Sequence, residues 1–347
     1  MAQIAKQRRA PRESLGMGAD YVFYARAGVE GAVFGQPTPG LALIGGPPDG
    51  PPPEVDAAFA WMIAKSGAGR WVVIGADGED EYARYLYQHL PPPHPVSVET
   101  LIFRTREAAS DPAVVKSILG ADALFIQGGD QWDYIRLWRD TPVQQALQHM
   151  ARKGVPMGGS SAGLAVLGEF IFSAKSGTVY SAEALADPYH ERVTLDRVLL
   201  DSPHLDLSPY AYLRNVITDS HFQDRDRMGR LLAFLARLCQ DGWTAAARAI
   251  AIDEMTAVLV DAHGLATVVD NRSATNPGAA FFLGTLGPPE VCQPGQPLTY
   301  SNVSVHRICA SDVGATFDLS TWLGRGGTRY SVSARQGTLC WASALEP

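Results

Sequence analysis

The sequence predicts an α/β fold: a mostly parallel sheet covered by helices on both faces, followed by a β-rich C-terminal appendage. Between residues 41 and 275 short apolar runs alternate with amphipathic stretches. Strands buried on both faces read as such continuous apolar runs, and their alternation with helices builds a parallel sheet. Two of these runs end in glycine-rich turns, QGGDQ (127–131) and GGSSAG (158–163). Parallel sheets gather their ligands at such strand ends. After Asp270 the helical periodicity stops, and short strand-like runs separated by Gly and Pro take over.

Taken in order, residues 1–40 mix charge, Gly and Pro without periodicity and are expected to be a surface tail. The catalytic-type domain is expected over 41–275 and the β-rich region over 276–347. LALIG (41–45) reads as a strand, 46–53 as a proline-rich loop, and 54–67 as a helix. WVVIGA (71–76) is a strand, 79–90 a helix stopped by the prolines 91–93, and VSVETLIF (96–103) a strand. Asp111 is placed to cap a helix over 111–121, ALFI (123–126) is a strand, and a helix over 141–154 closes at Gly154. VPMGGS (155–160) then runs as a strand into the helix-like AGLAVLGEF (162–170).

The chain has 347 residues and a formal net charge of -7, so it carries no basic field of the kind that nucleic acid or an anionic membrane requires. No run reaches the ~20 apolar residues of a membrane span. The start, MAQIAKQRRAPRESLG, lacks the apolar core of a signal peptide, which sets the expectation of a soluble, cytoplasmic protein, with a secreted form whose leader has been removed as the alternative. Cys239, Cys292, Cys309 and Cys340 form no CxxC pair, so neither a zinc site nor a redox motif is expected. A disulfide within the last 56 residues stays open.

Gly159-Ser160-Ser161-Ala162-Gly163 fits G-x-S-x-G, follows a strand and opens a helix. That context suits a nucleophile elbow, in which a tight turn lifts the serine oxygen clear of the sheet and a helix N-terminus faces developing negative charge. Ser161 is therefore the candidate nucleophile. A packing turn or phosphate loop is the bland alternative. Among eight histidines, His221 stands out as the candidate base. It follows the apolar run 212–220 and precedes a helix from 224, again at a strand's carboxyl end. Arg225, Arg227 and Arg230 come next, and their guanidinium forks suit carboxylates. Pairing with Asp224 and Asp226 on a solvated helix start would be their bland role.

IQGGDQ (126–131), GGSSAG (158–163) and DSHFQDRDRMGRLL (219–232) occur in this order in one chain. Together they resemble the three motifs of the cyanophycinase and dipeptidase E family of serine peptidases, over roughly 41–269. The resemblance implies a class I glutamine amidotransferase-like fold, with Ser161 as nucleophile and His221 as base. It implies that Gln131, Asp130, Asp219, Ser220, Arg225, Arg227 and Arg230 contact substrate. The triad acid is expected in the polar stretch 176–195, which offers Glu183 and, second, Asp187; Glu183 is the choice. Backbone N–H groups at Gly129 and Ala162 are expected to form the oxyanion hole. The expected partner is a peptide or isopeptide, with no cofactor and with a homodimer left open. An α/β-hydrolase-type esterase and a non-catalytic binding module are the competing readings. The first lacks an HGGG-type loop, and the intact Ser, Glu and His candidates count against the second.

Overall fold

The computed structural model describes residues 13–17, 20–27, 35–48, 55–197, 199 and 209–342. The chain opens with a hairpin, β1 (Glu13–Met17) and β2 (Tyr21–Ala27), and continues through β3 (Leu41–Ile44), α1 (Asp56–Lys65) and β4 (Arg70–Gly75). Then follow α2 (Glu81–Gln88), β5 (Ser97–Phe103), α3 (Pro112–Leu119), β6 (Ala123–Ile126), α4 (Gln131–Trp138) and α5 (Pro142–Lys153). Local chemistry sets these boundaries. Asp111 accepts from the Ala113 N–H at 2.7 Å with Pro112 in the first helical position, and Gly154 ends α5 at φ +76°.

The serine turn joins β7 (Met157–Ser160) to α6 (Ala162–Ala165), which is followed by β8 (Phe170–Phe172), α7 (Ser181–Ala186) and β9 (Leu195–Arg197). Next come β10 (Val216–Asp219), α8 (Met228–Gln240), β11 (Arg248–Ile252), β12 (Thr256–Val260) and β13 (Leu265–Asp270). The chain closes with β14 (Ala279–Gly284), β15 (Tyr300–Cys309), β16 (Thr316–Asp318), β17 (Leu323–Arg325), β18 (Thr328–Arg335) and β19 (Thr338–Ala342).

These strands make two sheets, ordered β1-β2-β5-β4-β6-β7-β3-β12-β13-β16-β17 and β19-β18-β15-β14-β11-β10-β8-β9. The α/β class stands, but the sheets are mixed rather than mostly parallel. Five adjacent strands of the first sheet, β5 to β3, are parallel, as are β8, β10 and β11 of the second; the flanks are antiparallel. Short turns account for some of these antiparallel pairs, such as β12 with β13 and β18 with β19, while β2 with β5, β3 with β12 and β11 with β14 pair across long connections. Gln336 and Gly337, at φ +49° and +77°, are the two-residue loop joining β18 to β19.

Two expected boundaries are corrected. Part of the supposed tail is structural: β2 pairs with β5 from Tyr21↔Phe103 to Ala27↔Ser97, and Val22 is buried. β1 pairs with β2 in turn, from Glu13↔Arg26 to Met17↔Val22, and residues 1–12, 18–19 and 28–34 lie outside the described residues. The region 276–347 is not an appendage either. Its β14 pairs along the whole of β11, while β16 and β17 extend the first sheet through β13. Leu43, Ile126, Ile250, Phe282 and Phe317 belong to one buried cluster, so both sheets share a core. All four cysteines are free thiols.

Candidate active site

Three strand ends meet at the site. β7 delivers Ser161, β10 delivers His221, and the turn after β11 delivers Glu254. Ser161 is held at φ +51°, ψ -113° by its N–H donating to the Ile44 carbonyl at 3.0 Å. His221, at φ +45°, is pinned between β3 and β11: its N–H reaches the Gly45 carbonyl at 3.0 Å, and the Phe222 N–H reaches that of Ile252 at 3.1 Å. Left-handed backbone at non-glycine residues costs roughly 1–3 kcal/mol each and persists only where the surroundings over-determine it.

Ser161 Oγ lies 2.7 Å from His221 Nε2, and His221 Nδ1 lies 2.7 Å from Glu254 Oε1. This serine–imidazole–carboxylate chain has the connectivity of a nucleophile, a base and an orienting acid. His221 and Glu254 are both buried. Burial, and then Arg225 and Arg227, lower the His221 pKa to about 3, while the Asp219 carboxylate opposes the shift. The imidazole is therefore neutral at pH 7 and can accept a proton.

The expected acid is corrected. Glu183 does not reach His221: it closes the start of α7 by accepting the Tyr180 N–H at 3.0 Å, and it pairs with Arg192 at 3.2 Å. Asp187 turns the chain after α7 by accepting the Tyr189 N–H at 2.8 Å. Both carboxylates are satisfied locally, as short polar side chains at helix ends commonly are. Glu254 was missed, although it carries the signal that singled out His221: it follows the apolar strand β11 at its carboxyl end.

Ser161 sits where two clefts meet, together with Gly129, His221 and Arg225. The larger, about 1010 Å³, runs past Pro47, Asp77, Glu81 and Gln127. The smaller, about 360 Å³, is lined by Asp130, Gln131, Ala162, Asp219, Ser220 and the three arginines, among others. Among the described residues, the Gly129 and Ala162 N–H groups donate to no protein acceptor. Gly129 sits at φ +153°, and a Cβ there would come within 2.7 Å of the Tyr134 hydroxyl.

The expected substrate contacts differ in how far they are already engaged. Asp130 caps α4 through the Trp132 N–H at 2.8 Å, and Gln131 Nε2 donates to the Phe172 carbonyl at 3.2 Å. Arg230 is buried and forks onto Asp219 at 2.5 and 2.9 Å. Arg227 Nη1 donates to the Ser220 carbonyl at 2.7 Å and lies 3.4 Å from Asp219. Burial pushes the Asp219 carboxyl up, but Arg230 and Arg227 outweigh it and hold the group below its ordinary value. Arg225 is the open one: its side chain is 45% exposed, and its contacts, to Glu254 at 3.3 Å and the Pro48 carbonyl at 3.5 Å, are long.

The fold and this strand-end site define an α/β chain of serine-hydrolase geometry. Residues 75–188 match the model of Peptidase family S51, so the chain is S51-like over a span that includes Gly129 and Ser161. Its relatives include the cyanophycinases of Nostoc sp. and Trichormus variabilis, each 30% identical over 221 residues, or 62% of this chain and 64% of theirs. A third, the cyanophycinase of Geminocystis herdmanii, is 29% identical over 52% of this chain and 62% of its own. The chain thus spans a little under two thirds of the length of these relatives. The crystal structure of a peptidase from an acI-B1 Actinobacterium shares the fold, with TM-score 0.50 and 15% identity, covering 82% of this chain and 98% of that one.

Proposed function

We propose that the protein is a cyanophycinase-like serine peptidase that hydrolyses an aspartyl bond, including β-aspartyl isopeptides, through an acyl-enzyme on Ser161. The observation that carries the reading is the unbroken chain from Ser161 Oγ through His221 to Glu254, with both links at 2.7 Å. His221 Nε2 takes the Ser161 proton as Oγ attacks the scissile carbonyl, and Glu254 holds the Nδ1–H and stabilises the imidazolium. The N–H groups of Gly129 and Ala162 receive the oxyanion. His221 then protonates the departing amine, and water, activated by the same imidazole, releases the acid.

The smaller cleft suits the acyl side. Arg225 stands at its mouth with a planar fork that can take a substrate carboxylate, such as that of an aspartyl residue. The larger cleft is left for the leaving group. The similarity to cyanophycinases supports this substrate class, and the S51 match supports the reaction class.

Fluorophosphonate labelling of Ser161, absent in Ser161→Ala, tests the nucleophile. Mass spectrometry after incubation with cyanophycin, β-Asp-Arg polymers and matched α-linked peptides tests the bond. Labelling without turnover of any aspartyl substrate would overturn the substrate assignment; no labelling would overturn the reaction.

A further inference from the structure

We propose that Asp224 and Arg272 are positioning residues that hold the Glu254 turn against His221. The inference rests on the serine-hydrolase reading of Ser161, His221 and Glu254. Glu254 lies in a tight turn whose next residue, Met255, is held at φ +55°. A turn of this kind needs partners for its backbone, and the Glu254 N–H finds one in Asp224 Oδ2 at 2.9 Å. Asp224 lies three residues beyond His221, in the turn that leads into α8. One carboxylate therefore ties the acid's turn to the base's turn.

Asp224 is itself fixed. Arg272 meets it with both terminal nitrogens, Nη2 to Oδ1 at 3.0 Å and Nη1 to Oδ2 at 3.3 Å, and both side chains are about four-fifths buried. The loop that presents Arg272 is bound to the same turn, since the Asn271 N–H donates to the Met255 carbonyl at 2.9 Å. At its far end the Gly278 N–H donates to Asp270 Oδ2 at 2.7 Å. Arg272, Asp224 and the Glu254 backbone thus form a continuous clamp, and neither side chain lines the clefts at Ser161. Such outer partners fix the orientation of groups that do the chemistry. Without the clamp the turn can swing, and Glu254 Oε1 no longer holds Nδ1–H in line.

The test compares Asp224→Ala, Asp224→Asn, Arg272→Ala and Arg272→Lys in the full-length chain, with two readouts. The first is kcat and KM on a substrate that the wild type turns over. The second is the low-field proton NMR signal of the His221 Nδ1–H, which needs no substrate. Asp224→Ala should lower kcat roughly 10- to 100-fold, a part of what acid–base catalysis supplies, with KM changed less than about twofold. It should also weaken or lose the low-field signal, and Arg272→Lys should retain more of both than Arg272→Ala. If Asp224→Ala does not fold, Asp224→Asn and Arg272→Lys carry the same comparison. Folded variants that keep wild-type kcat and an unchanged Nδ1–H signal would overturn the clamp, as would a wild type with no such signal. If the wild type cleaves no aspartyl substrate but loses its low-field signal on Asp224→Ala, the clamp stands and only the substrate reading falls.

Discussion

At the residue scale, the proposed roles of Ser161 and His221 make them one unit, so removing either should cost about as much as removing both. Ser161→Ala and His221→Ala should each abolish nearly all turnover, with the double variant no worse. Glu254→Gln should lower kcat by roughly 100-fold or more, because the imidazole loses its tautomer and its counter-charge, whereas Glu183→Gln should leave kcat near wild type. Steady-state kinetics on the two glutamate variants settles which carboxylate serves. The two glutamates also mark what was legible in sequence. Ser161 and His221 announce themselves through strand-end context, but the acid was sought in the polar stretch after the serine, while the fold brings it from beyond the histidine, 33 residues on in sequence. A second expectation concerns pH. The charged groups around His221 are Arg225, Arg227, Arg230, Asp219 and Glu254; burial and the arginines lower its pKa, so the active neutral form persists below the ordinary histidine value. Activity should be present above that depressed pKa and lost as pH falls through it. The acid limb of kcat/KM should therefore lie below ~6.5, and a limb at or above that value would contradict a buried, neutral base.

At the element scale, the site depends on how closely the loop after β3 approaches the dyad. Gly46 sits at φ +96°, and a Cβ there would lie 2.7 Å from His221 Nε2 and 2.9 Å from the Ser161 Cβ. Only glycine fits both that conformation and that gap. Gly46→Ala should push the imidazole off Ser161 and lower kcat/KM by roughly 100-fold, since small misplacements of catalytic groups cost on that order. Retained labelling rates with a fluorophosphonate would show that the loop yields instead. LALIG was readable as a strand because four consecutive apolar residues are buried on both faces, and the α3 and α5 ends were readable from Asp111 and Gly154. The antiparallel flanks were not. A strand buried at all five positions, as β12 is, reads the same beside parallel and antiparallel neighbours, so strand direction lies in the connections rather than in the strands.

At the scale of the whole molecule, the placement of Glu254, the proposed triad acid, depends on residues that composition alone would assign to a separate β-rich region. β11 carries the Glu254 turn at its end, and its two neighbours are β10, which carries His221, and β14, from the last quarter of the chain. β14 matches β11 residue by residue from Arg248↔Gly284 to Ile252↔Ala280, and the Ala279 N–H donates to Asp253 Oδ2 at 3.1 Å, beside the acid. Sequence separation hides this, because strand pairing across a long connection leaves no periodic trace in either strand. The consequence is a sharp expectation for a chain ending at residue 275. It loses β14 to β19, and with them the buried side chains Phe281, Phe282, Leu283, Val303, Val305, Ile308 and Phe317. At roughly 1.5–3 kcal/mol for each buried apolar side chain, their loss is on the order of 10–20 kcal/mol. That matches or exceeds the roughly 5–15 kcal/mol by which folded domains are stable. Deleting 276–347 should therefore give an unfolded or aggregating product rather than a trimmed enzyme, detected by circular dichroism and size-exclusion chromatography. A compact, monodisperse 1–275 fragment that still labels at Ser161 would show that the two sheets do not depend on each other, and that the β-rich region is an appendage after all.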